Sequence, residues 1–158
     1  MADDSGLSIK VLDDLPGIFS ARWANDNYLS VFDDIKKKIQ EKGKDIEGQS
    51  AFFNCTLAFL KSSKDVYIFE GILKGTLTYP PRGTNGFGYD PIFVPNGSNR
   101  TLAELKKKEK NKISHRKIAI DKFLESFIWK IVSVYMYTGL GVLVSALIVT
   151  IISLNWKI

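Results

Sequence analysis

The distribution of charge divides this chain into two physically different parts. Residues 131–154 carry no charge, whereas 21 of the 22 Lys and Arg residues and all 17 acidic residues lie at or before Lys130. At about 1.5 Å per residue, a helix of this length reaches about 36 Å, which exceeds the roughly 30 Å hydrocarbon core of a bilayer. Trp129 and Trp156, each next to a lysine, flank the segment as interfacial anchors do. We therefore predict one C-terminal transmembrane helix. The alternative is a buried helix that folds back onto a soluble domain.

The residues before this segment have the composition of one globular domain. Hydrophobic residues make up 45% of the chain and charged residues 25%, which is typical of a folded protein. We place this domain at residues 1–127, followed by a transmembrane helix and short tail at 128–158. The net charge of +5 is mild and does not indicate nucleic-acid binding. The lone Cys55 excludes an intrachain disulfide and favours a reducing compartment.

The charge next to the apolar segment predicts its orientation. Between residues 100 and 130, Lys and Arg residues outnumber acidic residues. Basic flanks of membrane spans stay on the cytoplasmic side. The sequence therefore predicts a cytoplasmic domain that is anchored to the membrane through residues 131–154.

Hydrophobic periodicity predicts alternating strands and helices in the first part. Alternation predicts strands, and apolar spacings of three and four predict helices. Leu29, Phe32, Ile35 and Ile39 mark the apolar face of the first long helix. The predicted strands are 7–11, 50–60 and 66–73, with a short apolar stretch at 91–95, and the predicted helices are 28–42, one that begins after Thr101 in a capping box with Glu104, and 115 to about 127.

The most specific stretch is PPRGTNGFGYDPIF, residues 80–93. Its glycines permit a close approach of the backbone to a ligand, or a positive φ angle. Phe87 and Tyr89 offer flat faces and Asp90 offers an acceptor, a combination that suits a stacked purine base. The alternative is a tight hairpin whose aromatic side chains fill the core.

Two polar segments are further candidates for a site. EKNKISHR supplies Lys110, His115 and Arg116, whose side chains suit phosphates, carbonyl oxygens and polyanions. The alternative for this segment is a solvated basic helix. His115 is the only histidine, so a site with several histidine ligands is excluded. Asp3 and Asp4 near the start of the chain indicate either an exposed terminus or part of an active site.

The order of the motifs ADDSGLSI, LPGIFSARWA, PRGTNGFGYDPIF, TLAEL and EKNKISHRKIA resembles the inosine/xanthosine triphosphate pyrophosphatase family. The resemblance runs from about Ala2 to about Leu124. It implies an α/β fold, a mixed-sheet sandwich, and the Mg²⁺-dependent hydrolysis of ITP, dITP or XTP to the monophosphate and pyrophosphate. It also implies purine nucleoside triphosphates as partners and allows a homodimer.

The resemblance assigns roles to individual residues. Asp4 is expected to activate the attacking water and, together with Asp3, to hold Mg²⁺, which prefers oxygen ligands. His115 and Arg116 are expected to read the six-position oxygen that distinguishes hypoxanthine from adenine. The remaining residues expected to bind the nucleotide are Ser5, Phe87, Gly88, Tyr89, Asp90 and Lys110.

The sequence also departs from the family pattern. Family members normally begin with an apolar strand and a T-x-N-x-x-K loop that grips the triphosphate, followed by a metal-binding Glu and a helix. Here Met1 directly precedes the ADDSGL segment. We therefore expect a truncated domain that lacks its first strand and phosphate loop and has impaired activity. The alternative function is a non-enzymatic, membrane-attached remnant that binds nucleotide or pairs with a complete relative.

Overall fold

The computed structural model of the chain describes residues 1–24, 27–62 and 64–137. Packing separates two compact units, Met1–Ile120 and a second that begins at Asp121. The first unit holds all the strands that the structure describes. The strands are β1 (Ala2–Ile9), β2 (Ser50–Ser62), β3 (Asp65–Leu77) and β4 (Phe93–Pro95), and the α-helices are α1 (Ser20–Ala24), α2 (Tyr28–Glu41), α3 (Lys107–Ile113) and α4 (His115–Tyr137).

The described strands form one antiparallel sheet in the order β1-β2-β3-β4. β1 pairs along its whole length with β2, so that Ser5 lies opposite Cys55 and Leu7 opposite Phe53. The predicted α/β class is confirmed. The mixed sheet expected from the family resemblance is not seen among these four strands, because each of their pairings is antiparallel.

One face of the sheet carries the core. Successive side chains of a strand point to opposite faces, and in β2 the odd-numbered residues from Ala51 to Leu57 are buried. Gly71 of β3 lies on the same face, where the backbone of His115 and Ala119 at the start of α4 occupies the space that a side chain would need. The absence of a side chain at Gly71 therefore lets α4 begin directly against the sheet.

The helix α2 packs on the core through a face that the sequence predicted only in part. Val31, Phe32, Ile35 and Ile39 are buried, as a spacing of three and four residues requires. Leu29 is 72% exposed, so its predicted place on this face is wrong. At about 100° per residue, Leu29 lies well away from the direction that Phe32, Ile35 and Ile39 share.

Two predicted elements have different bounds from those in the structure. The first strand begins at Ala2 and ends at Ile9, where a 3-10 turn over Lys10–Leu12 replaces the predicted continuation to residue 11. The helix predicted after Thr101 is one 3-10 turn, Leu102–Glu104, and the backbone is extended before α3 begins. The Glu104 carboxylate accepts a hydrogen bond from the Thr101 amide at 2.7 Å, as the capping box predicted.

The helix α4 continues past the end predicted near residue 127. Near the middle of this helix the Phe123 and Phe127 rings lie 4.8 Å apart between centroids. No helix in the described part of the chain is both long and apolar enough to cross a bilayer. Residues 138–154, most of the predicted transmembrane segment, lie outside the described residues, so that part of the prediction stays a prediction.

Candidate functional site

Three segments meet at a cleft of about 200 Å³ in the first unit. They are the middle of β1, the loop before β4 and the beginning of α4. Seven of the eight residues that the sequence predicted to bind nucleotide line this cleft, and they are Ser5, Phe87, Gly88, Tyr89, Asp90, His115 and Arg116. The antiparallel pairing of β1 with β2 and the placement of α4 over Gly71 bring these distant segments together.

The loop that carries Phe87 is held by its own carboxylate. Asp90 accepts a hydrogen bond from the Phe87 amide at 2.8 Å, and Gly86 and Gly88 take positive φ angles of 83° and 64°. Phe87 is 66% exposed, so its ring is available for stacking. Tyr89 is buried instead, and its hydroxyl donates to the Ser20 carbonyl at 2.8 Å. Burial raises the pKa of Tyr89 well above its ordinary value, so its hydroxyl stays protonated and structural.

Lys110 lies behind this loop and forms a buried ion pair with Asp90. The Asp90 side chain is 4% exposed and that of Lys110 is 13% exposed. The ammonium also lies 4.5 Å from the centroid of the Phe87 ring. Lys110 lines a neighbouring cavity of about 520 Å³ rather than the first cleft, and Phe87 and Arg116 border both. A buried pair of this kind fixes the loop, because removing either partner leaves an uncompensated charge.

His115 is buried at the beginning of α4 with its ring stacked on Phe53. The ring centroids are 5.0 Å apart and the planes differ by 12°. Burial, and then the nearby charges of Arg116 and Lys110, lower the pKa of His115 from 6.5 to about 4. The imidazole is therefore neutral near pH 7. Its Nδ1 is buried and has no hydrogen-bond partner within the described part of the chain.

Arg116 is oriented by a carboxylate of β1. Its Nε donates to Asp3 Oδ2 at 2.7 Å, and its guanidinium lies 5.9 Å from the Phe87 ring centroid. The side chains of Arg116 and Asp3 are 43% and 40% exposed, so the pair is open to solvent. The Nη groups of Arg116 are the parts that a ligand can reach while this ion pair is kept.

Asp4 faces a different cavity from Asp3, because the two residues are adjacent on a strand. Asp4, Asp14, Asn54 and Thr56 line a cavity of about 270 Å³ on the other face of the sheet, together with apolar residues. The Asn54 Oδ1 is buried and has no partner among the described residues. These carboxylate, amide and hydroxyl oxygens are the donors that Mg²⁺ accepts, with phosphates and waters completing its shell.

The structure therefore separates two residues that the sequence predicted to share one metal ion. Asp3 is paired with Arg116, whereas Asp4 lies among oxygen donors. Within the described residues there is no group of three or more His, Cys, Asp and Glu side chains that could hold a metal by itself. The oxygens near Asp4 suit Mg²⁺ by their chemistry, but among the described residues they are too few to hold it alone.

Comparison with known proteins places this geometry in a family. A model of the Ham1 family matches residues 1–126. The chain belongs to the Ham1 family. It is 45% identical over 123 residues to a dITP/XTP pyrophosphatase from Bacillus licheniformis, covering 77% of this chain and 62% of the relative. It is 47% identical over 125 residues to a dITP/XTP pyrophosphatase from Streptomyces coelicolor, covering 73% and 58%.

Solved structures of Ham1 proteins have the same fold. A HAM1 protein from Coxiella burnetii matches with a TM-score of 0.71 at 37% identity, covering 80% of this chain and 65% of that one. The Ham1 protein of Staphylococcus aureus matches with a TM-score of 0.68 at 36% identity, covering 82% and 66%. This Ham1 chain thus spans slightly less than two thirds of the length of the relatives it matches.

Two residues of the Ham1 cleft were missed by sequence analysis. Phe53 supports the His115 ring, and its place on the buried face follows from the alternation along β2. Tyr28 lines the cleft from the first turn of α2. Its position four residues before Phe32 places it on the same helix face. This four-residue spacing could have identified Tyr28, but the sequence prediction placed Leu29 on the apolar face instead.

The arrangement combines a flat apolar surface with polar groups of fixed orientation. The exposed Phe87 ring can stack on a base, the neutral imidazole of His115 lines the cleft, and Arg116 offers its Nη donors. Such a cleft suits a planar heterocycle that carries carbonyl groups. The Asp4 cavity lies on the other face of the sheet, borders the same part of β1, and offers oxygen ligands for a cation.

Proposed function

We propose that this chain hydrolyses the non-canonical purine nucleoside triphosphates ITP, dITP and XTP to the monophosphate and pyrophosphate. The observation that carries this proposal is the convergence of Phe87, His115 and Arg116 on one cleft that β1 connects to Asp4. The names of the Bacillus and Streptomyces relatives support the same substrate class.

Base selection follows from the donors in the cleft. The purine stacks on Phe87, and Arg116 donates to the six-position oxygen while the neutral His115 completes the polar contact. Adenine carries an amino group at this position, so the Arg116 donors would face another donor and lose this hydrogen bond. We therefore expect the cleft to accept hypoxanthine and xanthine and to reject adenine.

Hydrolysis is assigned to Asp4. Its carboxylate accepts a proton from the attacking water, the water oxygen bonds to the α-phosphorus, and the bond from the α-phosphorus to the bridging oxygen breaks to release pyrophosphate. Asp4, with the neighbouring oxygens of Asp14 and Asn54, would hold Mg²⁺, which supplies charge neutralisation for the phosphates when bound. Asp3 Oδ2 accepts from Arg116, so only its Oδ1 remains for a metal role while this ion pair is kept.

The test is a pyrophosphate-release assay on the 158-residue chain with Mg²⁺ and ITP, XTP or ATP in parallel. We expect turnover of ITP and XTP, little turnover of ATP, and loss of turnover in Asp4→Asn. Asp13→Asn is the matched control, because Asp13 is an exposed carboxylate that pairs with Lys42 away from the cleft. Equal rates for ATP and ITP, or an unchanged rate in Asp4→Asn, would overturn the proposal. Binding of IMP without pyrophosphate release would favour the non-enzymatic alternative.

We further propose that residues 131–154 attach the domain to a membrane. The support is the run of 24 uncharged residues between Trp129 and Trp156. Carbonate extraction of membranes from expressing cells tests this proposal, since recovery in the supernatant without detergent would contradict it. Size-exclusion chromatography with light scattering tests the homodimer that the family resemblance allows.

A further inference from the structure

One wall of the cleft has no part in the function proposed above. Tyr28, the first residue of α2, lines the cleft together with Gly88 and Tyr89. Its ring meets the Tyr89 ring edge to face, with centroids 5.3 Å apart and planes at 89°, and lies 6.4 Å from the Phe32 ring. These contacts fix the ring on the apolar side, so the position of its hydroxyl is determined by packing.

The Tyr28 hydroxyl is a free polar group of this cleft. Other polar groups there are already used within the protein: the Tyr89 hydroxyl by Ser20, and the Asp90 carboxylate by Lys110 and the Phe87 amide. In the described part of the chain, the Tyr28 hydroxyl has no hydrogen-bond partner, and a phenolic hydroxyl can both donate and accept.

Gly88 keeps the Tyr28 side chain accessible from the cleft. A Cβ atom at Gly88 would lie 3.7–3.8 Å from the Tyr28 Cε1, Cζ and hydroxyl oxygen. A side chain at this position would therefore begin in van der Waals contact with the Tyr28 ring and hydroxyl. The positive φ angle of 64° at Gly88 is also a conformation that larger residues rarely take.

The cleft consequently has two polar groups. Arg116 and His115 form one polar group where α4 begins, and Tyr28, against Gly88 and Tyr89, forms a second. In a purine whose six-position oxygen meets Arg116, position two lies farther along the same polar edge of the base. Hypoxanthine has only a hydrogen atom at position two, whereas xanthine has a carbonyl oxygen there.

We propose that Tyr28 is a specificity-determining residue whose hydroxyl donates to the two-position oxygen of xanthine. The proposal rests on the proposed function, because it takes the orientation of the base from Arg116. Without the two-position oxygen, the Tyr28 hydroxyl gains nothing when hypoxanthine binds. Tyr28 therefore shifts the preference of the cleft from hypoxanthine towards xanthine nucleotides.

The experiment compares the affinities of the full chain for XMP and IMP by isothermal titration calorimetry. Tyr28→Phe removes the hydroxyl but keeps the ring that packs on Tyr89. The matched control is Tyr79→Phe, which removes a hydroxyl that donates to Asp33 at 2.6 Å outside the cleft. We expect Tyr28→Phe to weaken XMP binding about two- to tenfold, the range for one neutral hydrogen bond, and to leave IMP binding unchanged. Tyr79→Phe should change neither affinity.

The outcomes separate this inference from the function on which it rests. If the unsubstituted chain binds neither monophosphate, the proposed function fails and this inference fails with it. If the unsubstituted chain binds both and Tyr28→Phe leaves the ratio of the two affinities unchanged, the assignment of Tyr28 alone is overturned. Unchanged IMP affinity in Tyr28→Phe also shows that the variant is folded. If Tyr28 had only a structural role, the substitution would weaken the binding of IMP and XMP alike.

Discussion

The buried neutral His115 predicts a specific loss of stability in acid. Its pKa is lowered from 6.5 to about 4 by burial and by the charges of Arg116 and Lys110, against an opposing contribution from Asp3. Between these two pH values the unfolded chain binds a proton at His115 and the folded chain does not. Because the unfolded state then binds more protons, the free energy of unfolding falls as pH decreases.

The magnitude follows from the difference between the two pKa values. A difference of 2.5 units (6.5 − 4), at about 1.4 kcal/mol per unit, gives a contribution of about 3 kcal/mol. This contribution is fully present above pH 6.5 and is lost as pH falls towards 4. With 7% of the residue exposed, solvent screening reduces it little.

Urea unfolding followed by circular dichroism at pH 7 and pH 4 measures this effect. The comparison variant is His115→Phe, which keeps a flat ring beside Phe53 and cannot take up a proton. Carboxylates that titrate in the same range are common to both proteins, so their contribution cancels. We expect the unsubstituted chain to lose about 3 kcal/mol more than the variant between the two pH values. Equal losses in both proteins would refute the assignment of a buried, neutral imidazole.

Three substitutions test contacts and backbone strain elsewhere in the first unit. Lys110→Met should lower the unfolding free energy by about 3–5 kcal/mol, because it leaves the buried Asp90 carboxylate unpaired. The double variant with Asp90→Asn should recover most of this loss. If it recovers none, the ion pair is not the cause of the loss. Gly71→Ala should cost about 1–3 kcal/mol, read from the urea midpoint, because the backbone of α4 must move away from the sheet. Asp14→Gly should raise the thermal midpoint by relieving a φ angle of 65°, and a lower midpoint would mean that the lost ion pair with Lys10 outweighs the strain.

The sequence predicted elements well where one local rule determines them. Spacings of three and four placed α2 within one residue of its observed end, and alternation located β2 and β3. The continuous helix after Thr101 was wrong because the capping box specifies only how a turn begins. The extended backbone at Leu105 and Lys106, which divides that segment, depends on how the turn packs against the rest of the domain.

The candidate site was predictable as a set of residues but not as a geometry. The resemblance named Phe87, His115 and Arg116, and the structure brings all three to one cleft. No local pattern indicates that Lys110 forms an ion pair with Asp90. Nor did the sequence prediction recognise that Asp3 and Asp4 face different cavities. The second point could have followed from strand alternation if β1 had been predicted to begin at Ala2.

The ion pair between Arg116 and Asp3 couples β1 to any ligand that binds in the cleft. β1 is an outer strand of the described sheet, and Asp3 joins it to the same guanidinium that a base would use. A ligand that takes hydrogen bonds from Arg116 either shares the guanidinium with Asp3 or displaces it, so binding and opening of the strand are thermodynamically linked. Amide hydrogen exchange at residues 2–6 therefore becomes a reporter of ligand binding: slower exchange marks a shared guanidinium, and faster exchange marks a displaced one.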